Sequence, residues 1–237
     1  MNEKPKRRLI AVGFEAHTLV GDIMSHGNSP PVLVLHGAGN SHRGRFQMFR
    51  EELFSRGISS VAFDFVGHGD TGGDLKSSSL SSRTRQACRV LDSLNLQQPF
   101  PVIGASMSAY TAVKLLELYQ IKSLILLVPA MYTSQAYSMP FNHGFTETIR
   151  QPQSWIGSDA WRILADYTGR LLIVAGEKDK IIPRDVINRI YDSAVNAAER
   201  ILHIAPHASH FVFTDLRASD PAEFDCVLGR ICDMLKE

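Results

Sequence analysis

Eight short apolar runs alternate with amphipathic helical patterns along most of this chain, and that alternation limits the possible folds more than any other feature. The runs cover residues 9–14, 17–24, 31–35, 60–65, 101–104, 123–128, 171–175 and 200–204. Several are continuous in Val, Ile and Leu, which is typical of strands buried on both faces of a parallel sheet. Helical patterns between them cover residues 46–55, 80–94, 107–119, 159–167, 183–197 and 221–235. The chain therefore predicts an α/β fold with a mostly parallel eight-stranded sheet flanked by helices on both faces.

The size of the chain suits one hydrophobic core, because single cores stop growing near ~250–300 residues. We therefore expect the 237 residues to form a single domain. The segment 131–157 falls outside the alternation and is rich in Pro, Gly, Met and aromatic residues. Long segments of this kind inside a compact domain are usually functional, so we interpret it as a small cap or lid insertion.

Charge and cysteine content narrow the partners and the compartment. The net charge of +1 provides no overall field that would favour nucleic acid or an anionic membrane, and no apolar stretch is long enough to span a bilayer. Cys88, Cys226 and Cys232 lie in helical patterns without metal-like spacing, so we expect buried thiols in a reducing compartment. The basic run 4–8 is interpreted as a solvated N-terminal tail. These features predict a cytoplasmic protein without a metal, either a monomer or a homodimer.

A serine lies in the tight turn Gly104-Ala105-Ser106-Met107-Ser108, between an apolar run and a helical pattern. Such a strand-to-helix turn pushes the serine hydroxyl out of the backbone, and small flanking residues let the strand and the helix approach each other. The pattern therefore predicts an exposed nucleophile at Ser106.

Polar residues also follow three other predicted strands. The sequence His36-Gly37-Ala38-Gly39 comes after the run 31–35, Asp179 comes after 171–175, and His210 comes after 200–204. The carboxyl edge of a parallel sheet is where binding sites form. We therefore expect these residues to lie near Ser106.

Together these motifs resemble the α/β-hydrolase superfamily, in which the nucleophile, the acid and the base follow one another in this chain order. The resemblance implies the α/β-hydrolase fold, with Ser106 as nucleophile, Asp179 as acid and His210 as base. It also implies an oxyanion hole made by the backbone N–H groups of Ala38 and Met107, and no cofactor.

Some positions leave alternatives open. Ser108 stands where the usual elbow pattern has its final glycine. Glu177 competes with Asp179 as the acid, although Asp179 better matches the family pattern of an aspartate ahead of a proline. His207 competes with His210, although the base of the family directly precedes an aromatic or apolar residue, as His210 does.

Other polar residues near the ends of predicted strands have a structural interpretation. His36 and His68 are interpreted as loop-bracing residues, and Asp64 with the turn after it as structural. A glycine pair at Gly37 and Gly39 faintly resembles a dinucleotide-binding turn, but the third glycine of that fingerprint would fall on His42.

The expected activity is hydrolysis of a small-molecule carboxylic ester through an acyl-serine intermediate. One alternative is thioester cleavage or acyl transfer by the same triad, for which nearby cations could bind an anionic carrier: Arg43, Arg45 and Lys180. The other is a non-catalytic module that binds a ligand or a partner and keeps a vestigial triad. Six apolar residues could line an acyl pocket: Met107, Met131, Tyr132, Met139, Phe141 and Trp155. Equally, the aromatic and Met residues could simply pack the cap onto the domain.

Overall fold

A computed structural model describes residues 7–26 and 31–236, in which eight strands form one sheet. The strands are β1 (Arg7–Phe14), β2 (His17–Met24), β3 (Val32–Leu35), β4 (Ser60–Phe63), β5 (Phe100–Ala105), β6 (Ile121–Leu127), β7 (Arg170–Gly176) and β8 (Glu199–Ala205). Each predicted apolar run lies in or overlaps one of them. The prediction of an eight-stranded sheet is therefore confirmed.

The strand order is β1-β2-β4-β3-β5-β6-β7-β8. The pairings from β4 through β8 are parallel, and β2 is antiparallel to both of its neighbours. From the central β3 the chain runs first to β4 on one side and then crosses to β5 on the other. The loops after β3 and β5 therefore leave in opposite directions and open a crevice between them, which is the usual position of a site in such sheets.

The described residues form eight α-helices: α1 (Gln47–Ser55), α2 (Leu80–Leu94), α3 (Met107–Leu115), α4 (Phe145–Ile149), α5 (Ala160–Ala165), α6 (Arg184–Ser193), α7 (Val212–Ser219) and α8 (Pro221–Lys236). Buried side chains of α2, α3, α5 and α6 share one apolar cluster, and those of α1, α7 and α8 share a second. The two clusters lie on opposite faces of the sheet, so helices cover both faces as predicted.

The central strands supply both clusters in strict alternation. In β6, Leu124 and Leu126 join the first cluster, whereas Ile125 and Leu127 join the second. Successive side chains of a strand point to opposite faces. Because helices cover both faces, apolar side chains are favoured at successive positions from Leu124 to Leu127 of β6, which explains the continuous runs in the sequence.

The structure differs from the predicted elements mainly at short helices. α7 was not predicted, because it buries only Val212 and Leu216, and one such pair is too little to reveal a helical period. The segment 131–157 contains the short α4 and two turns of 3₁₀ helix. α3 ends at Leu115, and the predicted continuation to residue 119 forms tighter turns, in which the Leu118 amide donates to the Leu115 carbonyl.

The expectation that all three cysteines are buried is wrong for Cys226, which is exposed; Cys88 is half-buried and Cys232 is buried. Cys226 precedes Val227 on α8 and therefore lies beside the apolar stripe and not within it. Of the predicted N-terminal basic tail, residues 4–6 lie outside the described residues, and Arg7 and Arg8 begin β1. Within the described residues, every helix is too short or too polar to cross a membrane.

The junction of β5 and α3 requires a glycine at position 104. A Cβ atom added to Gly104 would lie 2.5 Å from the Ser108 carbonyl oxygen and 2.8 Å from the Ala112 Cβ. We predict that Gly104→Ala lowers the free energy of unfolding by ~1–3 kcal/mol, because overpacking displaces the backbone. Denaturant unfolding measures this effect. Gly229→Ala in α8 is the matched control, since nothing lies within 4 Å of its added Cβ, and it should be stabilising by up to ~1 kcal/mol. Equal effects at the two positions would contradict the prediction.

Candidate active site

Ser106 lies at the turn between β5 and α3 with φ 50° and ψ −116°. A non-glycine residue in this region is strained by roughly 1–3 kcal/mol and is held only by surrounding contacts. Here the Ser106 amide donates to the Leu127 carbonyl at 2.8 Å, and the Ser106 carbonyl accepts from Ala109 and Ala130 at 3.0 and 3.2 Å. These bonds tie the turn to β6 and to the segment after it, so the hydroxyl of Ser106 is presented at the carboxyl edge of the sheet.

The imidazole of His210 lies between Ser106 and Asp179. Its Nε2 is 3.1 Å from the Ser106 Oγ, and its Nδ1 is 2.8 Å from the Asp179 Oδ2. The other carboxylate oxygen of Asp179 accepts the amides of Ile181 and Ile182 at 2.8 and 3.1 Å. Three side chains that are far apart in the chain therefore form one connected line of hydrogen bonds.

The protonation of this line follows from its contacts. Burial opposes ionisation of Asp179, but the hydrogen bonds from His210 and from the two amides outweigh it and lower the pKa of this carboxyl. An ionised carboxylate only accepts, so the Nδ1 of a neutral His210 carries the proton. Its Nε2 is then free to accept the hydroxyl proton of Ser106.

Glu177 and His207, the alternatives for the acid and the base, contact each other and not Ser106. Glu177 accepts the backbone amide of His207 at 2.8 Å, and the His207 Nδ1 is 3.6 Å from the same carboxylate. Both side chains are exposed, and the amide of His207 lowers the pKa of Glu177. Neither residue contacts Ser106 in the described structure, so this pair stabilises the turn after β8.

The loop after β3 lies against the nucleophile. A Cβ atom added to Gly37 would be 3.3 Å from the Ser106 Cβ and 3.9 Å from its hydroxyl oxygen, so only glycine fits this approach without displacing a neighbour. Ala38 follows directly. Met107 is the first residue of α3, where backbone N–H groups have no acceptor within the helix. The role of the Ala38 and Met107 N–H groups as an oxyanion hole stays a prediction.

His36 and His68 support this loop from behind. The His36 Nδ1 bonds the Gly37 carbonyl at 2.8 Å, and its Nε2 accepts the Phe65 amide at 3.2 Å. The His68 Nδ1 bonds the Ser41 carbonyl at 2.9 Å. Burial and then the charge of Arg83 lower the pKa of His36 well below its usual value and that of His68 to about 4. Both rings are therefore neutral at pH 7, and neither lies within the Ser106–His210–Asp179 line.

Asp64 is fully buried and organises the neighbouring turn. Its carboxylate accepts the amides of Arg43 and Asp70 at 2.7 and 3.0 Å and pairs with the Arg43 guanidinium. The same guanidinium also pairs with Asp22 and Asp70. Three carboxylates therefore surround Arg43, which is not available as a cation for a ligand.

The six apolar residues predicted for the pocket pack onto the core. Met107 and Met131 are buried, and the other four are partly buried against the first apolar cluster: Tyr132, Met139, Phe141 and Trp155. The Tyr132 ring is 5.7 Å from Tyr110 of α3 and 5.8 Å from Phe145, measured between ring centroids. These contacts pack the segment 131–157 onto the core. Contact of its side chains with a substrate stays a prediction.

A depression of about 740 Å³ lies away from these residues. It is bordered by Pro99, Gln120 and Gly169, which directly precede β5, β6 and β7. Ser106 follows the other end of β5. This depression is therefore not part of the candidate site.

Sequence reasoning missed Arg83. In α2 the buried positions include Leu80, Arg83, Thr84 and Ala87, which are spaced as one apolar stripe. A charged residue at such a position was the available signal. Arg83 is fully buried and contacts Ser108, the residue that replaces the usual elbow glycine, at 2.8 Å.

Comparison with known families agrees with this fold. The model of a family described as serine aminopeptidase, S33 matches residues 28–154, which is more than half of the chain. Among curated proteins, no sequence matches significantly.

Solved structures share the architecture over nearly the whole chain. An esterase of Pyrococcus furiosus, Pf2001, is 19% identical with a TM-score of 0.73, covering 98% of this chain and 92% of its own. An esterase of Exiguobacterium antarcticum is 18% identical with a TM-score of 0.73, covering 96% and 99%. Est816, an N-acyl homoserine lactone degrading enzyme, is 17% identical with a TM-score of 0.68, covering 93% and 99%. At these identities the likeness shows the fold alone.

The lowered pKa of His68 predicts acid sensitivity. Between the ordinary histidine pKa near 6.5 and about 4, the unfolded chain binds a proton at this position that the folded chain does not, so the free energy of unfolding falls as the pH falls. We expect His68→Gln to reduce this slope by up to ~1.4 kcal/mol per pH unit. Denaturant unfolding from pH 4 to 7 measures it, with the exposed His143→Gln as control. An unchanged slope in His68→Gln would contradict the assignment.

Proposed function

We propose that this chain, which belongs to the serine aminopeptidase S33 family of α/β-hydrolases, hydrolyses carboxylic esters through an acyl-serine intermediate. The observation that carries the proposal is the position of His210, with its Nε2 3.1 Å from the Ser106 Oγ and its Nδ1 2.8 Å from Asp179. A serine hydroxyl is a weak nucleophile at neutral pH and needs an adjacent, correctly oriented base. This arrangement supplies both.

In the proposed first step the Ser106 oxygen attacks the ester carbonyl while the His210 Nε2 takes the hydroxyl proton. Asp179 holds the imidazole in the required tautomer and stabilises the imidazolium without taking the proton. His210 then protonates the departing alkoxide, and an acyl-serine remains. Water activated by the same imidazole releases the acid and restores the Ser106 hydroxyl.

The negative charge on the carbonyl oxygen needs donors that are already oriented. We assign this role to the backbone N–H groups of Ala38 and Met107. The close approach of Gly37 to Ser106 and the place of Met107 in the first turn of α3 support the assignment. Loss of one such donor typically costs ~10²–10³-fold in rate.

We assign the segment 131–157 to a small cap beside this site, within a single domain. The amide of Ala130, the residue directly before this segment, donates to the Ser106 carbonyl at 3.2 Å. Further along, the Phe141 amide donates to the Ser78 carbonyl at 2.9 Å. These bonds hold the segment close to the nucleophile, which supports its assignment as a cap beside the site.

The thioester alternative depends on cations that bind the phosphates of a carrier. Arg43 pairs with three carboxylates, and the Arg45 guanidinium donates to the Asn40 carbonyl at 3.1 Å. The charge of Arg43 is therefore neutralised within the loop, and the exposed Arg45 and Lys180 remain as candidates. This observation favours an uncharged ester over an acyl carrier.

Substitution of the nucleophile tests the triad. We predict that Ser106→Ala abolishes labelling by a fluorophosphonate probe and lowers kcat for p-nitrophenyl acetate roughly 10⁴-fold or more. Ser55→Ala, at an exposed serine at the end of α1, is the matched control and should label as wild type does. A folded wild-type protein that does not react with the probe would contradict the proposal and favour a non-catalytic binding module.

A second measurement tests the substrate class with one acyl group in several leaving-group forms. We expect ethyl butyrate to be cleaved with a higher kcat/KM than butyryl-CoA or a butyryl amide. An acylated homoserine lactone and an amino-acid p-nitroanilide extend the comparison to a cyclic ester and to peptidase chemistry. The physical reason is that the described site provides an activated serine without a cluster of free cations for a carrier. Preference for butyryl-CoA, or for either amide, by tenfold or more would overturn the ester assignment.

A further inference from the structure

Arg83 is the most unusual charged group in the fold. Its side chain is fully buried, and its guanidinium has no carboxylate partner in the described part of the chain. Burial lowers the pKa of Arg83 to about 9, and the nearby Tyr132 raises this pKa only in part. The side chain therefore remains charged at neutral pH. Its Nε–H is buried without a hydrogen-bond partner among the described residues. A buried, unpaired cation costs stability, so its position needs an explanation.

The other donors of Arg83 bond the loop after β3, the elbow helix and His68 in the turn after β4. Nη2 lies 2.8 Å from the His36 carbonyl oxygen, 3.1 Å from the Gly37 carbonyl oxygen and 2.8 Å from the Ser108 Oγ. Nη1 donates to the His68 Nε2 at 3.2 Å. One guanidinium therefore connects α2, the loop, and the first turn of α3.

Two further contacts fix the plane of that guanidinium. Its central carbon lies 3.8 Å above the ring of Phe65, within the range of a cation–π contact. The Ser108 hydroxyl accepts from Arg83 and donates its own proton to the His36 carbonyl at 2.5 Å. A glycine at position 108 would supply neither bond. The departure from the usual elbow pattern and the buried arginine therefore belong to one arrangement.

The geometry of the peptide unit links this arrangement to the reaction. In a planar trans peptide, the carbonyl of one residue and the N–H of the next point in opposite directions. The Gly37 carbonyl, which Arg83 and the His36 Nδ1 both bond, shares its peptide unit with the Ala38 N–H. Holding that carbonyl toward α2 turns the Ala38 N–H away from α2. The same loop lies against the nucleophile, since a Cβ atom added to Gly37 would be 3.3 Å from the Ser106 Cβ.

We propose that Arg83, together with Ser108, is a positioning residue for the oxyanion hole: its buried charge fixes and polarises the peptide unit that presents the Ala38 N–H. The inference rests on the proposed esterase function. Hydrogen bonds to a charged donor are roughly twice as strong as neutral ones, and the positive charge favours negative charge developing nearby. His36 and His68 are neutral at pH 7, so Arg83 is the cation of this cluster.

The test is the kinetics of Arg83→Met, Arg83→Lys and Ser108→Ala with p-nitrophenyl acetate. Active sites are counted by fluorophosphonate titration, so that unfolded protein does not contribute to kcat. We expect Arg83→Met to lower kcat per active site by ~10²-fold with little change in KM, as for loss of one oxyanion donor. Arg83→Lys keeps the positive charge but lacks the planar guanidinium with its several donors. It should therefore recover part of the kcat lost in Arg83→Met. Ser108→Ala loses both bonds of the Ser108 hydroxyl but keeps the guanidinium, and it should show a smaller loss of ~3–10-fold.

The control is Arg85→Met on the same helix, because Arg85 is exposed and pairs with Glu15 at the surface. It should leave kcat and KM unchanged. A second readout is the affinity of an aryl trifluoromethyl ketone, which forms a tetrahedral oxyanion on the nucleophile. This affinity should fall in parallel with kcat/KM across the Arg83 and Ser108 variants.

The outcomes separate the inference from the function on which it rests. If the wild-type protein neither labels nor turns over, both are overturned. If the wild type is active and Arg83→Met keeps kcat within twofold per titrated site, only the positioning role is overturned. A loss confined to KM, to thermal stability or to the number of titrated sites also overturns it, since a purely structural residue would act in those ways. If Arg83→Met does not fold, Ser108→Ala and Arg83→Lys decide by the same kcat and inhibitor criteria.

Discussion

The structure depends on one close contact, that between the end of β5 and the first turn of α3. A glycine at position 104 lets the two backbones approach, and the chain then reverses at Ser106 with a positive φ. The strain of that turn is offset by its bonds to Leu127, Ala109 and Ala130. If the contact were looser, the hydroxyl would lose its fixed position relative to the loop after β3 and to His210.

Around this contact the molecule places charge unevenly. At the rim, Asp64 and two other carboxylates surround Arg43, and this cluster holds the turn after β4. Behind the loop after β3, the single cation Arg83 faces carbonyl oxygens, a hydroxyl and a neutral imidazole. The first arrangement satisfies its charges locally. The second leaves a net positive charge beside the peptide that we assign to oxyanion binding, which fits a site kept for function at some cost in stability.

The cap serves two purposes in this interpretation. Its aromatic residues bury apolar area against α3, as the contacts of Tyr132 with Tyr110 and Phe145 show. Directly before the segment, the Ala130 amide donates a hydrogen bond to the Ser106 carbonyl, so the position of the segment is coupled to that of the nucleophile. Packing and substrate contact are compatible roles, since a side chain buried on one side can present its other side to a ligand.

The sequence alone determined the layered α/β architecture, because strands such as β6 and β7, covered on both faces, must be apolar at nearly every position. It also indicated Ser106, Asp179 and His210, since each follows a predicted strand and the ends of parallel strands meet at one edge. Only the tertiary structure showed that Arg83 is buried and that Ser108 is its partner. On α2 the charge of Arg83 alone suggests a solvated residue, and its contacts come from a loop more than forty residues away in the chain. A local pattern reports the period of an element, whereas a buried polar contact depends on which distant segments the fold brings together.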